Sequence, residues 1–205
     1  MSTKRDMIKI ETPEGFKLSV PAHVVATTFI SAALAQVGVV QQVSAPAQPL
    51  SAQAIPAVGE YWPGQGGING GGVAAHGDVP AHYLIWATDD VGEHEWGGRG
   101  KESGAICKRD GQANTKALLA EGDHPAAIAA VISADGHYDF YLPAAAELYH
   151  GWLNVPDIFK KDRWYWSSSQ RSAYLAFYVN FDDGYQGIYA KYNECLVRPV
   201  RRAFI

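Results

Sequence analysis

The chain has 205 residues, 47% of them apolar and 19% charged, which excludes a disordered polymer and suits one ordinary domain with or without an appendage. Its net charge of −4, with no basic block, excludes the electrostatic footprint of a nucleic-acid binder. Twenty-one glycines and eleven prolines, set among short helix-period stretches, point to a loop-rich α+β class.

Residues 1–40 read as a hairpin followed by a helix. Ile8 and Ile10 alternate on one arm, and Phe16, Leu18 and Val20 on the other, with Thr12-Pro13-Glu14-Gly15 as turn chemistry between them. Pro21 suits the first turn of a helix, and Ala26, Phe29, Ile30, Ala33, Leu34 and Val37 follow at helical spacing. The apolar run from Val24 to Val40 is too short and polar to insert in a membrane. The acid-bearing, hairpin-patterned stretch before it argues against a secretory signal. Residues 41–57 are rich in Ala, Pro, Gln and Ser and read as a linker. A hairpin and one helix cannot bury their own apolar face, so this element either packs on the main domain or serves assembly, and the linker favours assembly.

Residues 58–205 form the main domain. The glycines from Gly64 to Gly72 match no phosphate-binding loop, because no lysine follows them and no helix opens; they read as tight turns and close backbone approaches. Tyr83–Ala87 reads as a buried strand, and short helices are expected around Ala113–Ala120 and His124–Ile132. "DGHYDFYLPAAAELYHGWL" reads as turn, strand and helix, with Pro143 at the helix start and Leu148 and Trp152 on one face. "RWYWSSS" is an aromatic strand, and Leu196–Phe204 a final one.

Ten of the 24 aromatic residues lie between Trp164 and Tyr192. From Ala173 the sequence alternates. Ala173, Leu175, Phe177, Val179 and Phe181 form an apolar set, and Tyr174, Ala176, Tyr178, Asn180 and Asp182 the other. Beyond an Asp183-Gly184 turn, Ile188 and Ala190 continue the inward set while Tyr185, Tyr189 and Lys191 face away. The expected outward surface is Tyr174, Tyr178, Asn180, Tyr185, Tyr189, Tyr192 and Asn193. Tyrosine supplies rigid contact area with a polar tip, the composition that recognition surfaces use. Ordinary cross-strand tyrosine pairing is the competing reading. Trp152, Trp164 and Trp166 are expected in the core.

The order "DGHYDFYLPAAAEL", "YWSSSQ", "AFYVNFDDGYQGIYAKY" and "VRPVRR" resembles the Lcl-C-terminal-type domain family, and "GGINGGGV…HYLIWA" with "WGGRG" resembles its phage-borne members. The likeness covers roughly residues 58–205. It implies a C-type lectin-like fold, α+β with a twisted antiparallel sheet and short helices, whose exposed ligand face lies near the chain's end. Retroelement-diversified phage proteins of that fold vary the same C-terminal ribbon with Asn, Tyr, Ser and Asp. The resemblance also brings in formylglycine-generating enzymes, whose chemistry needs two closely spaced late cysteines.

Cys107 and Cys195 do not meet that requirement, form no C-x-x-C, and read as two reduced, mostly buried thiols, with a Cys107–Cys195 bridge as the competing reading. The seven histidines show no zinc spacing, and His94-Glu95 reads as solvated loop. Ser167–Ser169 have no base beside them in sequence and read as a strand end. The calcium-binding signatures of sugar-binding lectins are absent, so neither metal nor cofactor is expected. The expectation is a non-enzymatic binding module of a phage or prophage particle, made in the bacterial cytoplasm. Its tyrosine ribbon would meet a cell-surface glycan or protein, and its N-terminal element would join other virion proteins or form a homo-oligomer, a trimer first. A decoration or baseplate protein whose domain packs on neighbouring subunits is the alternative.

Overall fold

The computed structural model describes residues 7–11, 17–21 and 55–204. The chain divides into two units, Met1–Gln53 and Ala54–Ile205. In the first, β1 (Met7–Glu11) and β2 (Lys17–Pro21) pair antiparallel, with Ile8 opposite Val20 and Ile10 opposite Leu18. This is the hairpin read from the alternation. Pro21, expected in the first turn of a helix, belongs to β2. The turn, the helix expected over residues 26–37 and most of the linker lie outside the described residues.

The second unit is α+β, with helices and both antiparallel and mixed sheets. One sheet is antiparallel and is built from β3 (Tyr61–Trp62), β4 (Gly67–Val73), β5 (His82–Trp86) and β11 (Val200–Ala203), in the order β11-β5-β4-β3. The other is built from β6 (Glu93–Glu95), β7 (Trp164–Gln170), β8 (Leu175–Asn180), β9 (Gln186–Ala190) and β10 (Glu194–Leu196), in the order β6-β10-β7-β8-β9. Within it only β10 and β7 run parallel. The helices are α1 (Gly111–Glu121), α2 (Pro125–Ala129) and α3 (Ala145–Asn154).

Three expected elements take other forms. From Gly67 onward the glycine run is a strand, β4, with a register shift between Asn69 and Gly72. Both halves of that expectation are met around it: residues 63–66 form a tight turn with Gly64 and Gly66 at positive φ, and a Cβ on Gly67 would overlap the Trp86 carbonyl, and one on Gly70 the Trp86 indole. The strand expected before α3 reduces to one bridge, Tyr141 to Val200, and Pro143 lies just ahead of the α3 N-cap, Ala144. The single strand expected over Leu196–Phe204 is two, β10 and β11, in different sheets. Pro199 between them has no N–H to continue a ladder.

Neighbouring residues of the five-stranded sheet enter different cores, so the sheet is covered on both faces. Trp166, Ala176, Tyr178 and Cys195 join Trp96, Leu118 and Leu142 on one side. Tyr165, Val179, Phe181 and Leu196 join Trp86, Leu148 and Phe159 on the other. This overturns part of the expected alternation. Tyr178 and Ala176 are buried, whereas Leu175 and Phe177 are half-buried and Ile188 is exposed. Trp166 is core as expected, Trp152 is half-buried against the core, and Trp164 is exposed. Phe177 carries the Lys108 ammonium 4.2 Å above its ring, a contact suited to a partly wet site.

Polar links tie the layers together, and one carboxylate is central. Glu147, fully buried in the first turn of α3, accepts the Ala144 N–H at 2.7 Å and the Gly111 N–H at 3.2 Å through Oε2. Its Oε1 accepts the Tyr141 hydroxyl at 2.9 Å and Arg202 Nη2 at 3.0 Å. Arg202 Nη2 also donates at 3.0 Å to Asp110, which caps α1 by accepting the Ala113 N–H. Burial pushes the Glu147 pKa up, while the donors and the guanidinium pull it down. Burial opposes a raised pKa for Arg202, yet the facing Glu147 carboxylate raises it. The pair is ionised, because a buried arginine keeps its proton and the carboxylate facing it accepts four hydrogen bonds.

Two stability outcomes follow from this packing. Phe181 is fully buried and stacks on Phe159 at 3.7 Å, so Phe181→Ala should cost about 3–5 kcal/mol in urea unfolding, with Phe177→Ala costing clearly less. The reverse order would show that the strand faces are misassigned. Glu147→Ala should also cost about 3–5 kcal/mol, because Arg202 then stays buried without its main counter-charge. The paired change Glu147→Leu with Arg202→Met should recover part of that loss. A loss below about 1 kcal/mol, the scale of surface changes, would mean that the carboxylate is peripheral.

Candidate functional site

The hairpin β8–β9 carries most of the residues singled out in the sequence. Gly184, with a φ of 76°, makes the turn expected at Asp183-Gly184. Asn180 and Asp183 accept the N–H groups of Asp182 and Tyr185 within it. Asn180 therefore shapes the turn. Asn193 is half-buried, and its N–H closes a second turn onto the Ala190 carbonyl.

The tyrosines fall into two groups. Tyr178, Tyr185 and Tyr189 gather with Trp164 and Trp166. Tyr178 is only 8% exposed because its ring lies over Gly187 on the neighbouring strand, where any Cβ would overlap it. Burial raises its phenol pKa, with Tyr185 adding to the effect. Tyr178 was expected to face outward and instead supports the surface from beneath. On it stacks Trp164, with centroids 4.7 Å apart and planes 19° from parallel, and Tyr189 meets Trp164 edge-on at 5.0 Å. Trp164 is 40% exposed and Tyr185 60%. The outer layer of this group is thus a tryptophan assigned to the core by its sequence, flanked by Tyr185 and the half-buried Tyr189.

The second group is Tyr174 and Tyr192, both exposed, with the Arg99 guanidinium 5.8 Å and 5.0 Å from their ring centres. Arg99 comes from "WGGRG", where Gly97, Gly98 and Gly100 all have positive φ and the Gly100 and Gly97 N–H groups donate to the Ala173 and Lys191 carbonyls, at the open end of the β8–β9 hairpin. Sequence reasoning missed Arg99, since no local pattern brings a loop at position 99 to residues 174 and 192. The signal was the three glycines, which mark a specified loop path. Lys191, expected outside, is fully buried: its Nζ donates to Gln170 Oε1 at 2.7 Å and the Lys101 carbonyl at 3.0 Å, and lies 4.5 Å from the Trp96 ring centre.

Groups that suggested chemistry have structural roles. Ser167, Ser168 and Ser169 lie inside β7, fully buried. Ser167 donates to the Phe177 carbonyl and Ser169 to the Cys107 carbonyl. His94 and Glu95 belong to β6 and not to a loop. Both His124 nitrogens are engaged, with Glu121 at 2.9 Å and the Trp96 carbonyl at 3.1 Å. Among the described residues no hydroxyl or thiol bonds to a histidine ring. No group of three His, Cys, Asp or Glu side chains is placed to hold a metal ion among them either. No helix among the described residues is long and apolar enough to cross a membrane.

The cysteines are free, but only Cys195 is buried; Cys107 is exposed, contrary to expectation. Burial pushes the Cys195 thiol up to about 12. Iodoacetamide should therefore alkylate Cys107 in the folded chain and reach Cys195 only in denaturant, as read by peptide mass mapping. Labelling of Cys195 without unfolding would contradict the packing against Trp166. In comparisons with known proteins, no protein-family model matches this chain, and no curated protein matches it in sequence.

Proposed function

We propose that this chain is a non-enzymatic binding module of a phage or prophage particle, with a C-type lectin-like domain of the Lcl-C-terminal type over residues 58–205. The observation that carries the reading is the supported aromatic surface. Trp164 and Tyr185 are exposed, and Trp164 is braced by Tyr178 and Tyr189. Exposed aromatics held rigid lose little entropy on binding, which is where interface energy concentrates. Arg99 with Tyr174 and Tyr192 extends the same β8–β9 region with five guanidinium donors and two phenols. The partner is a cell-surface glycan or protein. Residues 1–40 attach the module to other virion proteins or to copies of itself, a trimer first.

A second reading, a decoration or baseplate protein, draws on β9. It is the edge of its sheet and leaves Ile188 47% exposed, a surface that a neighbouring subunit could cover.

The labelled full-length chain, applied to glycan arrays and bacterial envelope fractions, tests the first reading. Trp164→Ala and Tyr185→Ala should each weaken attachment by about 1–3 kcal/mol while lowering the unfolding midpoint less than Phe181→Ala does. If both variants attach like the parent, the aromatic surface is not the contact. If attachment is absent in the parent and Ile188→Asp instead blocks incorporation into particles, the structural reading stands in its place.

A further inference from the structure

Beside the Trp164 indole lies a groove of about 180 Å³, the scale of one long side chain. Trp164 and Tyr189 provide its aromatic lining. With one face stacked on Tyr178 and an edge held by Tyr189, the indole is a fixed π surface that is 40% exposed. An aromatic face of this kind attracts a cation through its quadrupole.

The charges around it have the matching sign. Glu93, Asp162 and Glu194 line the groove, against Arg163 as the one cation in the lining. Arg163 is already engaged, with Nε 3.2 Å from Glu93 and Nη1 3.6 Å from Asp162. Cys195, also in the lining, is neutral, because burial raises its thiol pKa. Glu194 has no cationic partner among the described residues. It also sits directly opposite Glu95 in the β10–β6 pairing, and Glu95 has no cationic partner there either. Like charges facing each other across a ladder repel, which leaves a net negative field that an incoming cation relieves.

We propose that this groove receives a lysine or arginine side chain from a basic, extended segment of a partner protein; this rests on the binding role proposed above and names its partner class. The aromatic face accepts the cationic head and its methylene stem, and Glu194 supplies the counter-charge. A neutral sugar ring could stack on Trp164, but it would leave the carboxylates uncompensated.

The test uses the full-length chain labelled with ¹⁵N-tryptophan and titrated with capped tetralysine, capped tetraglutamate and maltotriose. Tetralysine should move the Trp164 indole N–H resonance, and added salt should weaken the effect. Glu194→Gln should reduce tetralysine affinity about two- to fivefold, the worth of one exposed charge contact. Adding Asp162→Asn should reduce it further, while Asp78→Asn, an exposed acid outside the groove, should change nothing. Glu95→Gln should raise the unfolding midpoint by removing the facing like charge. The proposal is overturned if tetralysine leaves Trp164 unmoved, if the double variant binds as the parent does, or if maltotriose alone moves the resonance. Should Trp164→Ala abolish envelope attachment while these charge variants have no effect, the binding role survives and the cationic partner does not.

Discussion

The buried carboxylate of Glu147 is the constraint on which the second unit depends. Its oxygens receive the first N–H of α1, the N-cap N–H of α3, the Tyr141 hydroxyl and the Arg202 guanidinium. Two helix starts, a loop and the last strand are therefore fixed to one point. Arg202 is the third buried arginine of the C-terminal run. Arg198 bonds Asp90 at 2.7 Å and Arg201 bonds Asp139 at 2.7 Å, so each arginine holds an acid from a different earlier segment. Buried ion pairs add little net stability, but a misplaced partner strands a charge, and that makes other chain paths costly. These anchors carry β10 into one sheet and β11 into the other across Pro199.

With β10 and β11 held in separate sheets, the five-stranded sheet is packed on both faces. That decides the fate of the tyrosines. Ala176 and Tyr178 would face water on a sheet with one dry side. Here they meet Trp96, Trp166 and Cys195. Beyond this second core the face reaches solvent at Trp164, Tyr185 and part of Tyr189. The candidate surface is thus the top of an aromatic stack with buried members beneath it. Such a surface is stiffer than exposed tyrosines on a bare ribbon, and its stiffness is the physical basis of the binding role proposed for it.

Charge divides the same region. Arg99 stands with Tyr174 and Tyr192, while Glu93, Asp162 and Glu194 surround the groove beside Trp164. Neither feature could be foreseen from local sequence. Arg99 and Glu93 reach the C-terminal strands from the middle of the chain, and only the pairing of β6 with β10 sets Glu95 opposite Glu194.

The sequence alone determined what short-range physics controls. Alternation gave the N-terminal hairpin and the strands β5, β7, β8 and β9, turn chemistry placed Asp183-Gly184, and helical spacing located α1 and α3, all within a few residues. Five of the seven residues expected on the recognition surface are at least partly exposed tyrosines or the half-buried Asn193, and Asn180 is half-buried in the turn. Tertiary structure decided which face of a strand met water. Period-two alternation separates two faces but does not say whether one or both are covered. Tyr178 went inside because a second core formed over it and Gly187 left room for its ring, and Trp164 stayed outside because that core ends before reaching it. No local sequence pattern marks the three C-terminal arginines for burial. They are buried because Asp90, Asp139, Asp110 and Glu147, all distant along the chain, arrive to pair with them.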